Sequence, residues 1–261
     1  MIQTTDLRKS YGYTTVVKDI NLFVAAGELL VLLGASGSGK TTTLKMLNRL
    51  IEPTSGIVQV NGTDTTATSP HELRRQIGYV FQQSALFPHM TVRENIGVTP
   101  ALLEWPNERI TKRIDELMNL VELSSQLGGR FPYELSGGQQ QRVGVARALA
   151  ASPCVMLLDE PFGSLDALTR ERLQESFLRI HKSLSLTTIL VTHDMTEALM
   201  MGDRIGVLRD GALLQIAPPR ELLSNPIDSY VKQLMDTPRR QAAMIDTLAD
   251  LSPHKQKNID D

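Results

Sequence analysis

Residues 29–42 read "LLVLLGASGSGKTT", an unbroken apolar run that leads into a glycine-rich loop and then a polar stretch. Five consecutive apolar residues are typical of a strand that is buried on both faces, as in a parallel sheet. The glycines allow successive backbone N–H groups to point inward and form a nest for anions. If a helix follows the loop, this stretch predicts a strand–loop–helix unit of an α/β fold with an anion site at the helix amino terminus.

The loop also contains a more specific pattern. Gly34, Gly39, Lys40 and Thr41 occupy the fixed positions of G-x-x-x-x-G-K-[ST]. In this pattern the lysine reaches the β- and γ-phosphates of a nucleotide, and the hydroxyl after it binds Mg²⁺. The predicted nucleotide-binding residues here are Gly34, Ala35, Ser36, Gly37, Ser38, Gly39, Lys40, Thr41 and Thr42. The loop alone does not separate a kinase, a GTPase and a transport ATPase.

The composition narrows the class of protein. The chain has 261 residues, of which 41% are hydrophobic, a net charge of −2, no long basic run and a single cysteine, Cys154. These values favour a soluble α/β protein that lacks an internal disulfide and does not bind nucleic acid. The amino terminus has no apolar core of a signal peptide, and no stretch approaches the roughly 20 apolar residues that span a bilayer. We therefore expect a cytosolic protein that reaches a membrane only through a partner.

Short apolar runs alternate with amphipathic stretches, which predicts βα units around a mainly parallel sheet. The buried strands are predicted at residues 29–33, 154–158 and 187–192. The helices are predicted at residues 39–50, 137–151, 168–183 and 194–202.

Three regions depart from this alternation. Residues 1–28 and 55–63 predict an antiparallel β patch, with turns at Ala26–Gly27 and Asn61–Gly62. Residues 90–135 are predicted to be helical because apolar residues recur there at helical spacing. These residues are Ile110, Ile114, Leu117 and Val121. We predict one ATPase domain over 1–236 with an inserted helical subdomain at about 84–150, and a polar, fraying tail over 237–261.

Two acids follow the second buried strand, in "VMLLDEP" at residues 155–161. The carboxyl ends of strands form the edge of an open α/β sheet where ligands bind. Because adjacent residues of a strand point in opposite directions, we expect Asp159 and Glu160 to have different roles. Asp159 is predicted to orient Mg²⁺, and Glu160 to act as general base on an attacking water. The pair favours hydrolysis over transfer to a small acceptor.

The stretch "ELSGGQQQR" at residues 134–142 places a second anion site at a helix start, which one ATPase domain does not need for itself. Here the chain resembles the ATP-binding-cassette ATPases, whose signature is L-S-G-G-Q. The matching residues are Leu135, Ser136, Gly137, Gly138 and Gln139. The resemblance implies a head-to-tail dimer in which the phosphate loop of one copy and the signature of the other enclose each ATP.

Four further residues match the motifs of that family, and together the motifs cover about residues 1–235. By resemblance, Tyr11 stacks on adenine, and Gln82 contacts Mg²⁺ and senses the membrane partner. Asp166 lies in the loop that contacts the other subunit, and His193 contacts the γ-phosphate. Taken singly, these residues fit a strand-edge aromatic, a surface amide, a helix cap and a core histidine equally well.

The resemblance also implies a function. It implies an ATPase on the cytoplasmic face of a membrane that pairs with transmembrane permease subunits and, indirectly, with an extracytoplasmic binding protein. Leu86, Phe87 and Met90 are the expected apolar contacts with the permease. The subfamily that the sequence resembles imports quaternary amines and related osmoprotectants such as glycine betaine, choline and carnitine.

Other functions remain open at this point. An importer for amino acids or another small solute is the main alternative. A cassette that acts on DNA or ribosomes and a metabolite kinase are disfavoured, because the chain lacks coiled-coil insertions and a second cassette but carries the signature. The roughly 25 residues after the cassette are too few for even one compact regulatory domain.

Overall fold

The computed structural model describes residues 1–82 and 85–250 and has two sheets. The larger sheet has six strands in the order β10-β9-β3-β8-β7-β6. Its strands are β3 (Leu29–Leu33), β6 (Ile77–Val80), β7 (Val155–Asp159), β8 (Thr187–Thr192), β9 (Arg204–Arg209) and β10 (Ala212–Ala217). All of its pairings are parallel except that of β9 with β10. The predicted mainly parallel sheet is therefore confirmed.

The smaller sheet is the predicted antiparallel patch, with strand order β2-β1-β4-β5. Its strands are β1 (Ile2–Tyr11), β2 (Thr14–Val24), β4 (Ser55–Val60) and β5 (Thr63–Asp64). The turn at Asn61–Gly62 joins β4 to β5, and both residues have positive φ values, 52° and 78°. The turn at Ala26–Gly27 connects β2 to β3 and so links the two sheets.

Nine helices lie within the described residues. They are α1 (Lys40–Leu47), α2 (Pro70–Arg75), α3 (Val92–Leu102), α4 (Asn107–Leu120), α5 (Gly137–Leu149), α6 (Ala167–Leu184), α7 (Met195–Met201), α8 (Pro219–Ser224) and α9 (Ser229–Asp250). Short 3₁₀ turns occupy Thr65–Ala67, Ser125–Gly129 and Pro132–Glu134. The helical insertion predicted between the strands is formed by α3, α4 and α5. None of the helices in the described part of the chain is long and apolar enough to cross a bilayer.

The six-stranded sheet is covered on both faces, which explains the continuous apolar runs in its strands. On β3, Leu29, Val31 and Leu33 pack into one core together with residues of α3–α7. Leu30 and Leu32 point into a second core, which is formed with α1 and the antiparallel sheet. The alternation of the strand thus separates two hydrophobic layers. The phosphate loop follows β3 and begins at the edge of this sheet where the carboxyl ends of β3, β7 and β8 lie together.

The predicted tail from residue 237 begins inside α9, which continues to Asp250. The first turns of this helix are anchored by Val231 and Met235, which are buried in the main core. Polar composition suits the exposed side of a helix as well as an irregular tail, so composition alone did not reveal the helix. Residues 251–261 lie outside the described residues, and the prediction for them stays open.

Buried His181 is expected to make the stability of the fold depend on pH. Its Nδ1 lies 3.1 Å from Thr188 Oγ1. Burial lowers the pKa of the imidazole, while Asp203 and a hydrogen bond to the Gly27 backbone oppose this effect. The unfolded chain therefore binds a proton more readily than the folded protein does. We expect His181 to make the free energy of unfolding fall as pH decreases through about 6.5, the ordinary pKa of histidine.

The measurement is urea unfolding between about pH 7.5 and pH 5 for the wild type and His181→Gln. The decrease in stability toward acid should be smaller in the variant. His71→Gln, at an exposed position, controls for the loss of a histidine. Equal pH slopes in wild type and His181→Gln would contradict the prediction.

Candidate functional site

A cleft of about 760 Å³ lies at the carboxyl ends of the parallel strands. Residues 34–42 form its floor, so the whole predicted phosphate loop lines it. The polar side chains on its walls are Gln82, Glu160 and His193. The volume falls within the range typical of small-molecule sites. The cleft therefore joins residues from across the sequence, from Val16 to Leu234.

Two glycines allow the loop to pass close to other backbone segments. Gly39 has a φ of 95°, and a Cβ there would lie 2.6 Å from the carbonyl oxygen of Val16. A Cβ on Gly34 would lie 2.3 Å from the carbonyl oxygen of Leu208. Any side chain at either position would displace the loop from the end of β3. Glycine is thus required at both ends of the predicted motif.

Lys40 lies inside the loop, with only 4% of its surface exposed. Its Nζ donates hydrogen bonds to the carbonyl oxygens of Gly34, at 2.8 Å, and Ala35, at 2.9 Å. Burial lowers the pKa of the ammonium, and the nearby carboxylates of Glu160 and Asp159 partly offset this effect. The loop therefore holds a cation at the amino terminus of α1, where an anion is also favoured by the helix dipole.

Asp159 connects the end of β7 with the phosphate loop. The hydroxyl of Thr41 donates to Asp159 Oδ1 at 2.7 Å, and the hydroxyl of Tyr79 donates to Oδ2 at 3.2 Å. Burial and the charge of Asp159 raise the pKa of Tyr79. The hydroxyl therefore stays protonated and fixes the carboxylate. Sequence reasoning did not identify Tyr79, because nothing in "IGYVF" distinguishes it from an ordinary strand residue.

These oxygen atoms suit a magnesium ion. Within residues 1–82 and 85–250, no group of three or more His, Cys, Asp and Glu side chains could hold a metal by itself. Mg²⁺ commonly binds through one or two protein oxygens and completes its shell with water and substrate phosphates. The adjacent hydroxyl of Thr41 and carboxylate of Asp159, beside a phosphate loop, fit that mode of binding.

Glu160 brings the three predicted catalytic side chains together. Its Oε2 lies 3.2 Å from Nε2 of Gln82 and 3.1 Å from Nδ1 of His193. Glu160 has a φ of 45°, a region that residues other than glycine seldom adopt and that is enriched at functional sites. Asp159 and Glu160 have different hydrogen-bond partners, and their different roles stay a prediction. The partners differ partly because the backbone turns at Glu160, which lies just beyond the last residue of β7.

Four predicted elements are not among the residues that line the cleft in the part of the chain that the structure describes: Asp159, which contacts the loop through Thr41, Tyr11, the signature and Asp166. Tyr11 has 51% of its surface exposed, and Lys9 Nζ lies 4.9 Å from its ring centroid. The signature residues, 135–139, and Asp166 lie at the starts of helices elsewhere on the same chain.

The signature and Asp166 lie next to each other. Ser136 caps α5, accepting a hydrogen bond from the backbone N–H of Gln139. Asp166 caps α6 by accepting a hydrogen bond from the backbone N–H of Thr169. This hydrogen bond lowers the pKa of the Asp166 carboxyl. A Cβ on Gly138 would lie 2.6 Å from Cγ2 of Thr169, so the two helix starts are in close contact. Two helix amino termini are therefore presented together, outside the cleft of their own chain.

The cleft also includes four residues that the predicted site did not contain, and two of them are Val16 of β2 and Leu33 of β3. Tyr230 and Leu234 of α9 contribute to its wall. The guanidinium of Arg209 lies 4.5 Å from the centre of the Tyr230 ring. The spacing of four residues indicates one helix face, but nothing in the sequence indicates which surface that face contacts.

A second cleft, of about 280 Å³, lies between the edge strand β6 and the helical insertion. Its apolar side chains include Phe81, Phe87 and Leu102, and its cationic ones are Arg74, Arg75 and Arg147. Of the three expected permease contacts, Phe87 lines this cleft. Leu86 instead packs against the main core, and Met90 is half-buried.

Comparisons with known proteins agree with this fold. A model of the ABC transporter family matches residues 17–163. The chain is 48% identical over 240 residues to the glycine betaine/carnitine/choline transport ATP-binding protein OpuCA of Bacillus subtilis. That match covers 92% of this chain but only 63% of the relative, so the chain spans less than two thirds of its length.

Two further proteins are similar over more of their own length. The glycine betaine uptake system ATP-binding protein YehX of Escherichia coli is 48% identical, and the match covers 89% of this chain and 76% of the relative. A solved dimeric ATP-binding cassette, bound to ADP and Pi in a post-hydrolysis state, superposes with a TM-score of 0.76 at 34% identity. That superposition covers 84% of this chain and 99% of the solved one.

Proposed function

The chain belongs to the ABC transporter family, and from that premise we propose that it hydrolyses ATP to power an importer of quaternary amines such as glycine betaine, choline or carnitine. The observation that carries the hydrolytic role is the position of Glu160. Its carboxylate lies between Gln82 and His193 on the wall of the phosphate-loop cleft. An importer for amino acids or another small solute remains the alternative.

In the proposed reaction, Glu160 takes a proton from the attacking water. The oxygen of that water forms a bond to the γ-phosphorus as the bond to the leaving oxygen of ADP breaks. His193 and Gln82 hold the carboxylate and the water, and Lys40 balances charge on the β- and γ-phosphates. Mg²⁺, held by Thr41, Asp159 and the amide oxygen of Gln82, would neutralise charge on the phosphate oxygens.

The proposed assembly is a head-to-tail dimer. The signature residues and Asp166 are presented outside the cleft of their own chain, as expected if they serve ATP bound to a second copy. The similarity to a solved dimeric cassette supports the same arrangement. In the dimer, Tyr11 would stack on adenine. ATP would favour the closed dimer because its phosphates contact both copies, and hydrolysis would remove that bridge.

The cleft beside β6 is the proposed docking site for a cytoplasmic segment of the permease. Phe87 and Leu102 offer apolar contact there, and Phe81, which also lines this cleft, is directly followed by Gln82, which lines the nucleotide cleft. The chain would accordingly be bound to the cytoplasmic face of the membrane through its permease. An extracytoplasmic binding protein would deliver the solute.

The substrate class rests on the names of the relatives, since none of these residues would contact the solute. We expect cells that lack this chain to lose uptake of labelled glycine betaine at high osmolarity, in a background from which other betaine importers have been removed. Wild type should restore uptake and Glu160→Gln should not. Uptake that persists without the chain would contradict the quaternary-amine assignment. A panel of labelled amino acids would then test the alternative.

A further inference from the structure

Arg170 on α6 connects the two loops that carry the reacting side chains. Its Nη2 donates to the carbonyl oxygen of Leu165 at 3.1 Å. Leu165 lies in the loop that follows Glu160. The Nη1 of Arg170 donates to Asp194 Oδ2 at 3.3 Å, and Asp194 directly follows His193. One planar guanidinium therefore spans the loop of the proposed base and the turn of the histidine.

Asp194 in turn fixes the backbone around His193. Its Oδ1 accepts the N–H groups of Thr196, at 2.8 Å, and Glu197, at 3.1 Å, and so caps α7. Its own N–H donates to the hydroxyl of Thr192 at 3.0 Å. The residues before and after His193 are thus bonded to each other. A displacement of Asp194 would be transmitted directly to the imidazole.

A second contact between α6 and α7 supports the first. One helical turn after Arg170, Gln174 Nε2 donates to Glu197 Oε1 at 2.9 Å. Glu197 is almost completely buried, with 5% of its surface exposed. Side chains four residues apart lie on the same face of a helix. The face of α6 that holds Arg170 and Gln174 therefore lies against the start of α7.

From these contacts we propose that Arg170 is a positioning residue for ATP hydrolysis, which sets the geometry between Glu160 and His193 without touching the nucleotide. The inference rests on the proposed function. An arginine suits this role because its rigid fork donates to two acceptors at once, whereas lysine supplies a single point charge. Small displacements of reacting groups cost large factors in rate, which makes such a bridge consequential.

The first test is steady-state ATPase kinetics of Arg170→Gln, Arg170→Lys and Asp194→Asn. Arg172→Gln is the matched control, because it removes an exposed arginine two residues away on the same helix. We expect Arg170→Gln to lower kcat by about 10- to 100-fold with KM for ATP within about twofold of wild type. Arg170→Lys should recover part of the loss. Wild-type kcat in Arg170→Gln would overturn the proposal.

The second test does not depend on turnover. The ring resonance of His193 in an NMR spectrum can be assigned through its loss in His193→Gln. We expect it to shift in Arg170→Gln and Asp194→Asn and to stay in place in Arg172→Gln. A lowered kcat with an unmoved resonance would overturn the positioning role. A wild-type protein that does not hydrolyse ATP would overturn the proposed function, and the resonance would still decide the role of Arg170.

Should Arg170→Gln fail to fold, Asp194→Asn carries the same test. Asparagine can still cap α7 through its side-chain oxygen but loses the charge that pairs with Arg170. The expected shift of the His193 resonance and the lowered kcat are the same. Wild-type values of both in a folded Asp194→Asn protein would overturn the proposal.

Discussion

Replacing Glu160 with glutamine is expected to lower kcat for ATP hydrolysis by about 10²- to 10⁴-fold, the contribution of a general base. Glutamine has nearly the same shape as glutamate and can still contact Gln82 and His193. It cannot accept a proton from water at neutral pH. The loss should therefore appear in the chemical step, while the phosphate loop that binds ATP is unchanged.

The same variant should accumulate as an ATP-bound dimer. If the phosphates join two copies and only hydrolysis removes that bridge, a protein that binds ATP without cleaving it remains associated. Analytical ultracentrifugation with ATP and Mg²⁺ would show a dimer for Glu160→Gln and a smaller dimer fraction for wild type. The matched control is Glu171→Gln, which removes an exposed carboxylate from α6. If Glu160→Gln keeps at least half of the wild-type rate, Glu160 is not the base.

The parts of the fold that sequence predicts well are those with one physical explanation. β3 and β8 occur at the predicted residues because uninterrupted apolar runs suit a strand covered on both faces. The predicted strand at 154–158 is shifted by one residue, because Asp159 still pairs with Val191 of β8. Polarity at a strand end does not reveal whether the ladder includes that residue. The course of α9 through Thr237 escaped prediction because a polar segment suits a solvent-facing helix and a tail equally.

The residues of the candidate site also differ in how well the sequence predicts them. Lys40 and Thr41 could be placed from sequence because the phosphate loop is continuous in the chain. Glu160 and His193 directly follow two different strands, and the parallel pairing of β7 with β8 brings the two side chains within 3.1 Å. Glu160 was predicted from the two acids that follow a buried strand, and His193 from the resemblance, but Tyr79 and Tyr230 belong to neither pattern. Their roles depend on tertiary contacts that have no local pattern.

Replacing Lys40 with alanine is expected to weaken ATP binding itself by about 30-fold or more, equivalent to about 2 kcal/mol. The ammonium is buried and surrounded by carbonyl oxygens of Gly34 and Ala35. Among the described residues that line the cleft, Lys40 is the only lysine or arginine that could meet incoming phosphates. Without Lys40, the phosphates would face these carbonyls and the carboxylates of Asp159 and Glu160 with no balancing charge from a lysine or arginine of the cleft.

The measurement is the Kd for ATP, obtained by calorimetry, for wild type, Lys40→Ala and Lys45→Ala. Lys45 lies on the same helix but not in the cleft, so its loss controls for a changed net charge and a shortened side chain on α1. The effect should differ in kind from that of Glu160→Gln, because one variant loses affinity and the other loses turnover. Wild-type affinity in Lys40→Ala would contradict the phosphate-loop assignment. Reduced affinity in both lysine variants would point to a general charge effect, because only Lys40 lies within the loop.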